Sequence, residues 1–98
     1  MGLDFAIDAL YDTGWSITEV KALARHSDGR PYPSRDAVQA FFGEHGYELN
    51  LKHIQLFDCY RAEWRDADGK LGGAVVGQTA EEAAVYAMSQ LRRQLANH

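Results

Sequence analysis

Residues 57–95 constrain the fold more than any other stretch of the chain. Phe57 to Arg65 alternates strictly, with Tyr60, Ala62 and Trp64 on one side and Cys59, Arg61, Glu63 and Arg65 on the other. A period of two is the signature of a half-buried strand. Asp66-Ala-Asp-Gly69 follows, and Asp-Gly supplies the positive φ that hairpin turns need. The chain then returns as a second strand centred on Ala74, Val75 and Val76, in which Gly72, Gly73 and Gly77 mark a bend, a bulge or a close approach. Thr79 to Glu82 reads as a capping box: the hydroxyl accepts a free backbone N–H, and the carboxylate reaches back to the cap. Behind it Ala80, Ala84, Ala87, Met88, Leu91 and Leu95 form one apolar stripe at helical spacing. Glu81 and Glu82 complement the positive end of that helix dipole, and Arg92 and Arg93 the negative end.

Upstream, Ser34 is a good N-cap, followed by Ala37, Val38, Phe41 and His45 on one side of a helix, with Phe42 at its margin and Gly46 as the stop. Tyr47, Leu49 and Leu51 then alternate with Glu48, Asn50 and Lys52, which predicts a third strand. The expected fold class is therefore α+β, with the order α-β-β-β-α over residues 34–95. Strands are expected at about 47–52, 57–65 and 71–78 and helices at about 35–45 and 80–95. Short links make the strands antiparallel. Their apolar side must be covered, so both helices are expected on one face of the sheet.

Residues 1–30 are expected to be a helical N-terminal extension. Leu3, Ala6, Ile7 and Leu10 form a stripe that Gly14 can terminate. Ser16-Ile-Thr-Glu19 resembles a second capping box, with Ile17, Val20, Leu23 and Ala24 as a short helix behind it. The alternation of Val20, Ala22 and Ala24 leaves a strand open as the alternative. His26 to Pro33 reads as a loop in which Pro31 and Pro33 hold Tyr32 extended, and as the joint between extension and core.

The chain has 98 residues and a formal net charge of −4, and it reads as a single domain. The acid excess lies in the first half, where residues 1–49 carry eight acids and four bases; residues 50–98 carry six of each. That balance offers nothing to a polyanion. The single cysteine, Cys59, excludes an internal disulfide and a thiolate-rich zinc site. No apolar run is long enough for a membrane span, and the N-terminus lacks the basic region of a leader, so the expectation is a cytoplasmic protein with no membrane partner.

The helix–strand–strand–strand–helix order with an Ala-rich last helix resembles the double-stranded RNA-binding domain. That resemblance implies the fold and, in the family, a basic cluster at the start of the last helix. Here those positions read Thr79-Ala-Glu-Glu-Ala83, which would repel phosphates, so the fold carries over and the RNA site does not. Tyr60-Arg-Ala-Glu-Trp-Arg-Asp-Ala-Asp-Gly69 also looks like the first hairpin of the arm-binding domains of phage-type integrases. The basic residues such a domain would carry in its next strand are replaced by Leu71-Gly-Gly-Ala-Val75.

No catalytic, metal or nucleotide motif is present. Cys59 and His53 could pair as thiolate and imidazole, but no spacing brings them together. His26, His45, His53 and His98 include no metal-binding pair. Asp4, Asp8 and Asp12 form a linear row, which suits a solvated face better than a cation. Gly69, Gly72, Gly73 and Gly77 lack the phosphate-loop pattern. What is left over is surface. Arg61, Glu63 and Arg65 share the uncovered side of a strand, and Val85, Tyr86 and Trp15 are apolar positions that need a cover. The simplest cover for Val85 and Tyr86 is residues 3–25 folding back over the last helix. These six residues are the candidate interaction surface. The expected function is a non-catalytic module without cofactors that binds an unknown protein or a second copy of itself. A nucleic-acid binder using Arg61, Arg65, Lys70, Arg92 and Arg93 is the alternative, and an enzyme using Cys59 or a histidine comes after it.

Overall fold

A computed structural model describes residues 2–16 and 23–96. The fold is α+β. Three helices, α1 (Leu3–Asp12), α2 (Arg35–Glu44) and α3 (Ala80–Ala96), accompany an antiparallel sheet of β3 (Tyr47–Ile54), β4 (Cys59–Asp66) and β5 (Leu71–Gly77). A separate two-stranded ribbon joins β1 (Leu23–Arg25) to β2 (Pro31–Pro33). The order therefore differs from a helical extension followed by α-β-β-β-α, because a ribbon stands between α1 and α2.

The central sheet follows from the alternation in its strands. Register pairs Leu49 with Trp64 and Leu51 with Ala62 on one face, and Lys52 with Arg61 and Asn50 with Glu63 on the other. The β4–β5 turn closes with Gly69 at φ +81°, while Asp66 Oδ1 accepts the Asp68 and Lys70 N–H groups, both at 2.9 Å. The glycines of β5 answer to space. Pairing shifts between Trp64 and Arg65, which leaves Gly72 as the extra residue of a bulge. A Cβ at Gly73 would collide with the Trp64 ring, and one at Gly77 would lie 2.7 Å from the Ala83 backbone nitrogen. Glycine thus admits the indole over the strand and the first turn of α3 against it.

Both flanking helices start on caps read from their sequence. Ser34 Oγ accepts the Ala37 N–H at 3.2 Å, and Thr79 Oγ1 accepts the Glu82 N–H at 3.0 Å. The return half of the α3 box differs from expectation. Glu82 Oε1 accepts the Gln78 N–H at 2.8 Å, one residue before the cap, because the buried carboxylate sits over the incoming chain.

One core runs through the molecule. Phe42 of α2 packs on Trp64, with ring centroids 5.2 Å apart, and Met88 and Leu91 of α3 join the same cluster. Leu95, expected in the α3 stripe, is exposed. On the outer side of α3 lies α1, whose Ala6, Ile7 and Leu10 are fully buried in that cluster. Phe5 meets Tyr86 at 5.6 Å, and the Arg92 Nε–H donates to Thr13 Oγ1 at 2.8 Å. A helix with the sheet on one side and another helix on the other is buried nearly all round. That is why α3 contains Ala83, Ala84, Ala87 and the buried Ser89.

The expected helix at 16–25 is corrected where the structure describes it. Leu23–Arg25 is a strand paired antiparallel with Pro31–Pro33; residues 17–22 lie outside the described residues. Prolines are tolerated there because the ribbon has only edges. The ribbon does not hang free. The Tyr11 O–H donates to the Pro31 carbonyl at 2.6 Å, Arg30 pairs with Asp8, and Tyr32 is buried. Arg30 also holds Asp28: its backbone N–H and guanidinium keep that carboxyl below the usual aspartate range.

Candidate interaction surface

The side of the sheet away from α2 and α3 carries Glu48, Asn50 and Lys52 from β3, Arg61, Glu63 and Arg65 from β4, and Ala74 and Val76 from β5. Alternation along each strand places them together. At the centre is Glu63. Its oxygens lie 3.3 Å from Lys52 Nζ, 3.3 Å from Arg61 Nε and 3.8 Å from Arg65 Nε. Although it is on the open face, Glu63 is only 6% exposed, since it stands in the central strand with the charged ends of three basic neighbours gathered on its carboxylate. The hydrogen bond from Lys52 is the largest influence on its carboxyl, and with the Arg61 and Arg65 charges it holds the pKa below the usual glutamate range, against the opposing effect of burial.

The candidate residues therefore divide. Arg61, Glu63 and Arg65 form one cluster, and the structure adds Lys52 to it. Val85 and Trp15 are corrections: both are buried and neither belongs to a surface. Val85 is covered because α1 packs on α3, and Trp15 because it closes the end of α1 beside Tyr11, with ring centroids 5.5 Å apart. Tyr86 is half-buried against Phe5. Glu63 presents its neighbours more than itself.

A feature absent from the sequence reading stands at the β3–β4 connection. Phe57, expected in the strand, instead belongs to a 3-10 turn, Gln55–Phe57. Leu56 is 83% and Phe57 73% exposed, so two adjacent large apolar side chains project from a hairpin tip. Asp58 ends the turn in the left-handed conformation, φ 46° and ψ 52°. Its carboxylate lies 3.0 Å from His53 Nε2, which ties the tip to β3. Beside the tip, Ile54 pairs with Cys59, and Val76, 49% exposed, pairs with Arg61. Lys52 and Arg61 are the open-face pair next to Ile54 and Cys59 at this end of the hairpin, whereas Arg65 lies toward its other end. The sequence signal was Phe57 itself, a large apolar residue that alternation puts on the polar side with Cys59, Arg61 and Glu63.

The chemistry-bearing residues are dispersed. His53 pairs with Tyr60 and Cys59 with Ile54, so the imidazole and the thiol project from opposite faces of the sheet. His45 Nδ1 lies 2.9 Å from the Phe41 carbonyl at the end of α2, a helix-end contact. A cleft of about 460 Å³ between the last turns of α2 and α3 is lined by Phe41, His45, Met88, Arg92 and Leu95 among others. It contains neither Cys59 nor His53. Among the described residues no group of three His, Cys, Asp or Glu side chains is arranged to hold a metal, and no helix is long and apolar enough to cross a membrane.

No family model, curated protein or solved structure matches this chain.

Proposed function

We propose that the chain is a small non-catalytic protein-interaction module that offers the open sheet face and the β3–β4 tip to a second protein chain, another copy of itself included. The observation that carries this is the exposure of Leu56 and Phe57 side by side. Neither belongs to the core cluster, so the fold does not account for them. An aliphatic–aromatic pair held on a hydrogen-bonded hairpin, with Lys52 and Arg61 at the same end of that hairpin, has the anatomy of an apolar anchor inside a charged rim. A reducing, cytoplasmic setting belongs to the same reading, as the lone Cys59 has no disulfide partner within the chain.

The nucleic-acid alternative has less support. Glu63 neutralises part of the basic cluster, and Glu81 and Glu82 stand in the first turn of α3. A catalytic role would require Cys59 and His53 on the same side of β4 and β3, which register opposes.

The test is a Leu56→Ser, Phe57→Ser double variant. Thermal stability should match the parent, because both side chains are already in water. Light scattering across concentration and affinity capture should both show association in the parent that weakens at least about tenfold in the variant. A parent that stays monomeric and captures no protein would refute the proposal, as would a variant that associates as the parent does.

A further inference from the structure

We infer that the outer edge of β5 is a strand-addition site for an extended segment of a partner protein in which acidic and apolar residues alternate. This rests on the interaction role proposed above and adds where and how the partner is held.

The sheet has two edges, β3 and β5. β3 carries exposed Glu48, Lys52 and His53, the charged decoration that discourages edge pairing. β5 reads Leu71-Gly-Gly-Ala-Val-Val-Gly77, with neither charge nor proline, and among the described residues no strand pairs with its outer side. Its bulge is confined to Gly72, which leaves residues 73–77 in regular register with β4. In such a run alternate backbone groups point away from the neighbouring strand and form a template for another. Of the two edges, the chain has blunted one.

The open face says what the added strand should carry. Arg61 stands across from Val76, and Glu63 across from Ala74. A strand outside β5 would lie two strand spacings, about 9.5 Å, from β4. Ala74 is too small to fill that gap, so an acidic side chain on the added strand can reach over it toward the Arg61 and Arg65 guanidiniums that flank Glu63. Charge favours this. Three cations surround Glu63, and the other acid on the paired positions of this face is Glu48, across from Arg65. Residues of the added strand that point the other way would lie beside the half-buried Val75, where apolar side chains fit. A second copy of β5 has no acid to offer, so an acidic partner strand is the better complement.

The experiment titrates the whole chain with a short peptide alternating valine and glutamate, and in parallel with one alternating valine and lysine. Binding is read by calorimetry and by amide hydrogen exchange. The acidic peptide should bind and slow exchange of alternate β5 amides within residues 73–77 at least about tenfold, whereas the basic peptide should bind at least about tenfold more weakly. Arg61→Glu and, independently, Val76→Glu should each weaken the acidic peptide with circular dichroism unchanged; Val76 is exposed, so its variant keeps the test open if Arg61→Glu perturbs the sheet. Equal binding of both peptides, no binding, or binding without slowed β5 exchange would overturn the inference. So would concentration-dependent slowing of β5 exchange without peptide, which assigns the edge to a second copy. If the Leu56 and Phe57 variant loses association while β5 exchange never responds, the edge fails and the interaction role stands.

Discussion

At the scale of single residues, two positions bear consequences their side chains do not advertise. Gly73 has no side chain, yet a methyl group there would strike Trp64, the largest fully buried residue. Gly73→Ala should therefore destabilise the fold by about 1–3 kcal/mol through overpacking, read as a lower urea midpoint with an unchanged slope. Glu63 is the other. Its folded pKa is depressed, first by Lys52, so its contribution to stability is present in full above the unfolded glutamate pKa of about 4.3 and is lost as pH falls through the folded value. Glu63→Gln should lower the thermal midpoint at neutral pH and flatten the acid fall in that window. A variant whose acid profile overlays the parent's would contradict this. The glycines of β5 announced a bend, a bulge or a close approach, and at Gly73 the structure shows the close approach. The depression at Glu63 was not, because alternation puts it beside Arg61 and Arg65 but says nothing of Lys52, which arrives from β3.

At the scale of elements, α3 is the member on which the others rest. It contacts β3, β4 and β5 as well as α1 and α2, so fraying at its start is felt widely. Thr79→Ala removes the hydroxyl that accepts the Glu82 N–H. Denaturant unfolding should show a loss of about 1 kcal/mol, within the usual 0.5–2 for a cap. The helices and β5 lie close to where caps and alternation put them, since those signals are local and tertiary contacts reinforce them. The departures lie where local signals conflict. Phe57 could extend β4 by composition, but the 3-10 turn with Asp58 left-handed uses it for the reversal. Leu23 to Arg25 could be helix or strand, and pairing with Pro31–Pro33 decides for strand.

At the scale of the whole molecule, α1, α2, α3 and the sheet share one core cluster. Ile7 and Leu10, far in sequence from Trp64, belong with it. Unfolding should thus be a single event: tryptophan fluorescence and the far-ultraviolet helix signal should superimpose across a denaturant titration. Ile7→Ala should shift both together, by about 2–4 kcal/mol. Separate transitions would show α1 to be an independent unit. Caps, turn glycines and hydrophobic period are properties of neighbours along the chain, and the sequence by itself determined α2, α3, β5 and the alternating centres of β3 and β4, but not the 3-10 turn between them. The leftover apolar positions Val85 and Tyr86 pointed to residues 3–25 as their cover, and α1 supplies it. What surrounds Glu63 and which edge of the sheet is left bare depend on segments that are remote in sequence. Only the tertiary structure decided these, because no local pattern specifies how far the basic side chains of β3 and β4 will reach or which strand will stand at an edge.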